Sequence, residues 1–290
     1  MDELLRKTGE SDESYLARQK WKSFNDSVLY ENRFFVKHEL LETLKDYINN
    51  NNVLINTGSL FYRARIIDEK AIKSHMVYKC YGVPENEREH INYYSKSNPF
   101  RGLTKEASFV PPEGTLVGEG RANPKYIRYL YMSEDPTTAL FEVRPLLFSA
   151  VNIAKIEVTD SLNIANVASA IDYSDKSNNT CESYLMSLIQ GAFSKPTNNP
   201  DDYMVTQIIT EYIKSLGFDG IRYNSSLHKG GVNYTVFNYT KCEVVASQDF
   251  RIENYKITAR AAIGSANYLG DLAYIVDNEP KFIDVESSYK

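Results

Sequence analysis

The stretch GEGRANPKYIRYLYMSEDPTTALFEVRP, running from Gly118 to Pro145, decides how this chain is read. Gly118 and Gly120 allow positive φ or a close backbone approach to a ligand, and Asn123-Pro124 forces a turn. Ile127 to Met132 then has the composition of a strand, with Ile127, Tyr129 and Tyr131 on one face and Arg128, Leu130 and Met132 on the other, both at least half buried. Asp135 followed by Pro136 predicts an N-cap with proline at the first helical position, and Pro145 stops the helix after little more than two turns. Glu142 therefore falls in the last turn, where the helix dipole opposes an anion by ~0.3–1 kcal/mol. It shares a helical face with Thr138. A carboxylate set against the local field is either a site residue or a surface group paired with Arg144 or Lys125.

At 290 residues the chain has room for one large domain or for a core with extensions. A formal charge of -5 without a basic stripe argues against a nucleic-acid partner. The opening MDELLRKTGESDESY has no apolar segment, and no run of about 18 apolar residues occurs anywhere, so the expectation is a soluble, cytoplasmic protein with no membrane partner. Cys80, Cys181 and Cys242 lack CxxC spacing and read as small buried hydrophobes. His38, His75, His90 and His228 lack HExxH spacing and read as surface or packing residues, so no metal site is expected.

In chain order, residues 12–48 predict two helices that dock on the body or on a partner, with Asn49 to Asn52 ending the pattern. Leu60 to Ile66 predicts a strand whose alternation sets Phe61, Arg63 and Arg65 on one face. Two guanidiniums about 7 Å apart at their origins can span a diphosphate, or can serve as an exposed face or a structural pair with carboxylates. Residues 67–117 form a long irregular segment with mixed helical signals from His75 to Tyr94. Ala150 to Val158 predicts a strand, and Asn178 to Ser194 a helix. A further helix is capped by Asp202 and closed by Gly217. Phe218 to Tyr223 predicts a turn and short strand delivering Asn224, Ser225 and Ser226 to a cleft ahead of another strand at Asn233 to Asn238, although two serines in a loop are also ordinary turn residues.

These blocks together resemble a known family. Phe61-Tyr62-Arg63, Gly120-Arg121-Ala122-Asn123-Pro124, Leu130-Tyr131, Thr138 through Pro145, Thr206-Gln207, Phe218 through Ile221, Ser225-Ser226 and Asn233 to Phe237 stand in the order of the RES domain, named for an Arg, a Glu and a Ser. The resemblance spans about residues 53–250, leaving 1–52 as an N-terminal helical extension and 251–290 as a C-terminal one. It implies an α+β fold with a mixed β core similar to ADP-ribosyltransferase toxins. It also implies an enzyme that destroys NAD+ as an NAD+ phosphorylase or glycohydrolase, or one that ADP-ribosylates a protein. No cofactor is implied beyond NAD+ as substrate, with inorganic phosphate as co-substrate in the phosphorolytic version. The implied setting is a bacterial toxin–antitoxin system, with an antitoxin or other neutralising protein as partner.

Matched motif by motif, the catalytic set is Arg63, Tyr131, Glu142 and Ser225, with Ser226 as the alternative serine. Arg65, Arg121 and Asn123 join Ser226 as candidate substrate-binding residues. The chemistry agrees with that set. Nicotinamide leaves as a neutral molecule, so the site must steady an oxocarbenium-like ribose, as carboxylates do in glycoside hydrolysis, and hold phosphate with arginine.

Overall fold

Two helices open the described chain in the computed structural model, which describes residues 10–67, 99–168, 179–195, 203–254, 272–276 and 279–283. The readings at His75 to Tyr94, Cys80, His90, Asp202 and most of the tail lie outside these residues. Helix α1 (Asp12–Asp26) is capped by Ser11, whose side chain accepts from the Ser14 amide. It runs into a π-turn over Ser27–Glu31 and a 3-10 turn over Arg33–Phe35 before α2 (Glu39–Asn50). Their apolar stripes, among them Phe24, Leu40, Leu44 and Ile48, are fully buried. They share one hydrophobic cluster with Leu185 and Ile189 of α5 (Cys181–Ser194) and with Ile209 and Ile213 of α6 (Met204–Ser215). The N-terminal helices thus dock on the body.

Two short helices lie between these pairs, α3 (Lys105–Ser108) and α4 (Pro136–Glu142). The strands are β1 (Val53–Ile55), β2 (Leu60–Ile67), β3 (Phe100–Arg101), β4 (Leu130–Ser133), β5 (Ala150–Val158), β6 (Leu162–Asn166), β7 (Gly220–Asn224), β8 (Val232–Val236) and β9 (Cys242–Arg251). They form one nine-stranded sheet in the order β1-β6-β7-β8-β4-β2-β5-β9-β3. Only the β6–β7 and β3–β9 pairs are parallel. The fold is α+β, with a mixed, mainly antiparallel sheet.

The two faces of the sheet separate two cores. The helical cluster takes Ile221 and Tyr223 of β7, while Leu130, Met132, Ile156, Tyr234 and Val236 build a second cluster. Alternation along β8 sends Val232, Tyr234 and Val236 into that second cluster and leaves Asn233 and Thr235, both buried, on the other face. Register then sets Ser133 of β4 against Asn233 and Tyr62 of β2 against Ser133.

Chain segments Met1–Pro145 and Ser149–Arg251 make one compact unit, and Leu146–Phe148 with Ile252–Lys290 make a second. In the second unit, β10 (Leu272–Val276) and β11 (Glu279–Ile283) pair as an antiparallel hairpin, and the Phe148 amide donates to Ile252 O at 2.9 Å. No helix among the described residues is long and apolar enough to cross a membrane.

One sequence expectation is corrected at the centre of the sheet. The strand expected over Ile127 to Met132 begins at Leu130. The preceding residues are held in a loop instead. Tyr126 adopts a left-handed backbone with φ 73° and donates its amide to Val117 O at 3.0 Å, and Asn123 Nδ2 donates to Ile127 O at 3.1 Å.

Candidate active site

Helix α4 delivers the carboxylate. Asp135 caps it, with Oδ1 accepting from the Thr138 amide at 2.8 Å. At its other end Arg144 takes φ 46° and Pro145 forbids continuation. Glu142, the last helical residue, accepts from Ser225 Oγ at 2.6 Å and from Asn233 Nδ2 at 2.8 Å, both at Oε1.

Both partners are themselves oriented. Ser133 Oγ donates to Asn233 Oδ1 at 2.7 Å, which turns the amide nitrogen toward Glu142. Ser225 Oγ accepts from the amides of Leu227 at 3.2 Å and His228 at 3.1 Å, so its single proton is left for the carboxylate. The bond from Ser225 to Glu142 is charge-assisted and short.

Glu142 borders a cavity of about 480 Å³, within the range of small-molecule sites. Its wall includes Arg63, Arg121 and Arg144 together with the rings of Tyr62, Tyr131, Tyr203 and Tyr223. Arg63 is the unusual member. Among the described residues its guanidinium donates one hydrogen bond, from Nη1 to Tyr131 O at 3.2 Å, and its buried Nε has no partner. Among the described residues no carboxylate pairs with it. Burial first, and then the neighbouring Arg65 cation, push it down to about 10, against an upward pull from Tyr131. It remains charged near neutrality and lines the cavity as a cation.

The glycine loop forms another part of the wall. Tyr131 Oη donates to Asn123 Oδ1 at 2.7 Å and accepts from the Ala122 amide at 3.1 Å. Burial raises the phenol, so Tyr131 offers the site a ring face rather than a phenolate. Gln207 Nε2 donates to Gly120 O at 2.9 Å and Thr206 Oγ1 to Arg121 O at 2.6 Å. Arg121 lies over the Tyr223 ring at 5.7 Å and donates to Lys195 O at 3.2 Å. Gly120 is needed for close approach, since a Cβ there would come within 2.5 Å of Asn123 Oδ1 and 3.0 Å of Tyr131 Oη.

Arg63, Arg121, Tyr131 and Glu142 thus border one cavity, and Ser225 reaches it through Glu142. Three candidate substrate contacts lie elsewhere. Arg65, expected on one face with Arg63, donates to Ala107 O at 2.7 Å and is absent from the cavity wall. Asn123 is buried and spends its amide on the carbonyls of Gly118, Pro124 and Ile127, so it shapes the loop. Ser226 is exposed, and it is Ser225 that meets the carboxylate. Asn233, given no role in the sequence reading, is a direct partner of Glu142. Its signal was a lone amide in the β-branched and aromatic run VNYTV.

No curated protein matches this chain at a significant level. Among solved structures, the toxin–antitoxin complex MbcT–MbcA of M. tuberculosis aligns over 73% of this chain and 93% of that one, at 15% identity and a TM-score of 0.37. Arg63 lies ahead of the segment matched by a family model, so its place rests on the cavity geometry alone. That match, to the RES domain, covers residues 87–257, more than half the chain and including Tyr131, Glu142 and Ser225, and the protein belongs to the RES-domain family.

Proposed function

We propose that this protein degrades NAD+ by cleaving the bond between nicotinamide and ribose, passing ADP-ribose to phosphate or water, and that it acts as a toxin held in check by a neutralising protein. The observation that carries the reading is the Glu142 carboxylate, bound by Ser225 and Asn233, at a cavity that also holds the Arg63 cation, which pairs with no carboxylate among the described residues.

As the glycosidic bond breaks, its electron pair moves to the pyridinium nitrogen and neutralises it, leaving positive charge on the ribose. Glu142 keeps Oε1 on Ser225 and Asn233 and turns Oε2 to the sugar, where its charge steadies the oxocarbenium. Arg63, with Arg121 beside it, holds the diphosphate or the incoming phosphate by bidentate hydrogen bonds. The Tyr131 ring borders the nicotinamide. A phosphate oxygen or a water oxygen then bonds to the anomeric carbon, and attacking water releases its proton to solvent.

The test is purified protein with NAD+, with and without inorganic phosphate, following nicotinamide and the ADP-ribose product. Phosphate-dependent release with ADP-ribose 1''-phosphate establishes a phosphorylase, and release without phosphate a glycohydrolase. Label transferred from NAD+ to a protein establishes an ADP-ribosyltransferase. Binding of NAD+ without any release overturns the reading in favour of a nucleotide-binding module.

A further inference from the structure

Next to the Glu142–Ser225 pair runs a chain of hydrogen bonds with no part in the mechanism above. Thr138 Oγ1 lies 2.5 Å from Asp135 Oδ2 and 2.7 Å from His228 Nδ1. Thr138 is wholly buried, and the imidazole lies flat against Phe141, with ring centroids 5.5 Å apart and planes 11° from parallel. Gly231 closes on the cluster so tightly that a Cβ there would come within 2.5 Å of Thr138 Oγ1 and 3.0 Å of His228 Nδ1. His228 also donates its amide to Ser225 Oγ and accepts from the Gly231 amide at 3.0 Å.

Proton counting decides which way these bonds run. A threonine hydroxyl carries one proton. Burial works upward on the Asp135 carboxyl, but the hydrogen bonds from the Thr138 hydroxyl and amide outweigh it, with help from His228 and the Thr137 amide, and hold it below the ordinary carboxylate range. An ionised carboxylate has nothing to donate, so the contact between Oδ2 and Oγ1 uses the threonine proton. Only lone pairs of Oγ1 then face His228, and Nδ1 must carry a hydrogen.

We propose that Asp135, Thr138 and His228 form a positioning relay, which fixes His228 in its Nδ1–H form and pins the Ser225–Gly231 turn to the N-terminal turn of α4. One short helix is thereby tied to that turn twice, through Thr138 at its start and through Glu142 at its end. The relay sets the depth at which Ser225 meets the carboxylate. It rests on the reading of Glu142 and Ser225 as the reactive pair, and His228 acts through them rather than on substrate.

The tautomer is read directly by nitrogen NMR of the imidazole with the ring deprotonated. The expected result is Nδ1–H in the wild type and a shift toward Nε2–H in Thr138→Val, whose shape fills the same buried space. In NAD+ turnover, His228→Asn keeps a donor near the Nδ1 position and is expected to stay within about threefold of wild type. His228→Gln, whose amide reaches past that position, and Thr138→Val are expected to lose about tenfold in kcat with KM little changed, and Thr138→Ser to recover most of it. Thermal melts of each variant separate lost folding from lost positioning. A wild-type Nε2–H tautomer, an unchanged tautomer in Thr138→Val, or equal activity in the folded Asn and Gln variants overturns the relay. Should the wild type consume no NAD+ yet show Nδ1–H that Thr138→Val removes, the relay stands and the assigned reaction falls.

Discussion

Ser225 Oγ donates to Glu142 Oε1 at 2.6 Å across 83 residues of chain, joining the turn after β7 to the last residue of α4. Two backbone amides already occupy the lone pairs of that oxygen, so the hydroxyl proton has one direction to point. The carboxylate is oriented before any ligand arrives.

Glu142→Gln keeps the side chain's shape and removes its charge. If the carboxylate steadies a cationic ribose, NAD+ consumption falls by about 10²–10³-fold or more, in the range seen when one electrostatic stabiliser is lost. A melting temperature near wild type, measured alongside nicotinamide release, is the matching control. A folded Gln variant with undiminished turnover would remove Glu142 from the mechanism.

The adjacent serines are separable by experiment. Ser225→Ala strips an acceptor from two amides and a donor from Glu142, at a cost of about 1–3 kcal/mol for the groups left unsatisfied. Both stability and NAD+ turnover are expected to drop. Ser226→Ala changes an exposed side chain and is expected to leave both within error. Parallel denaturant melts and turnover assays on the two variants decide the point.

Arg63 predicts an unusual pH dependence. Its folded value, about 10, lies below that of an ordinary arginine, so the unfolded chain binds this proton more tightly than the folded one. The charge therefore weakens the fold at neutral pH, and that penalty is relieved as pH rises through about 10. Arg63→Met is expected to melt at or above the wild-type temperature near neutrality, with the difference closing at higher pH. Pyrophosphate or ADP-ribose is expected to raise the wild-type melting temperature and to leave the Met variant nearly unmoved.

The glycine loop is testable through packing. Tyr131→Phe keeps the ring at the cavity and loses two hydrogen bonds, for a cost of about 1–2 kcal/mol and a raised KM. Gly120→Ala drives a methyl group against Asn123 Oδ1, whose amide is pinned by three carbonyls, and overpacking of this kind costs about 1–3 kcal/mol. Steady-state kinetics and melts of both variants check the expectation. Wild-type behaviour of Gly120→Ala would show that the loop gives way freely.

Local signals were readable from the residues themselves. Asp135-Pro136 and Pro145 marked both ends of α4, and Glu142 sits in its last turn. The apolar stripes of 12–48 gave two helices, Ala150 to Val158 gave β5, and Gly217 closes α6 with φ 89°. Each of these depends on caps, spacing and backbone preference within a few residues. β6 and β9 were not foreseen, because a strand is completed by partners distant in sequence. At β2 the register with β5 is unbroken, yet the two arginines part company in their contacts, Arg63 bonding Tyr131 O at the cavity and Arg65 bonding Ala107 O in α3, which spacing alone does not reveal.

The sequence by itself determined the kind of protein and most of its chemical inventory: an α+β chain of the RES family carrying Arg, Tyr, Glu and Ser in order. Only the tertiary structure decided which of them meet. It chose Ser225 over Ser226, brought Asn233 to Glu142, turned Asn123 to the loop and left the buried Nε of Arg63 without a partner among the described residues. The reason is physical. Caps and periodicities are settled within one or two turns of chain, whereas a hydrogen bond between residues 83 or 91 positions apart depends on sheet register, which no local preference contains.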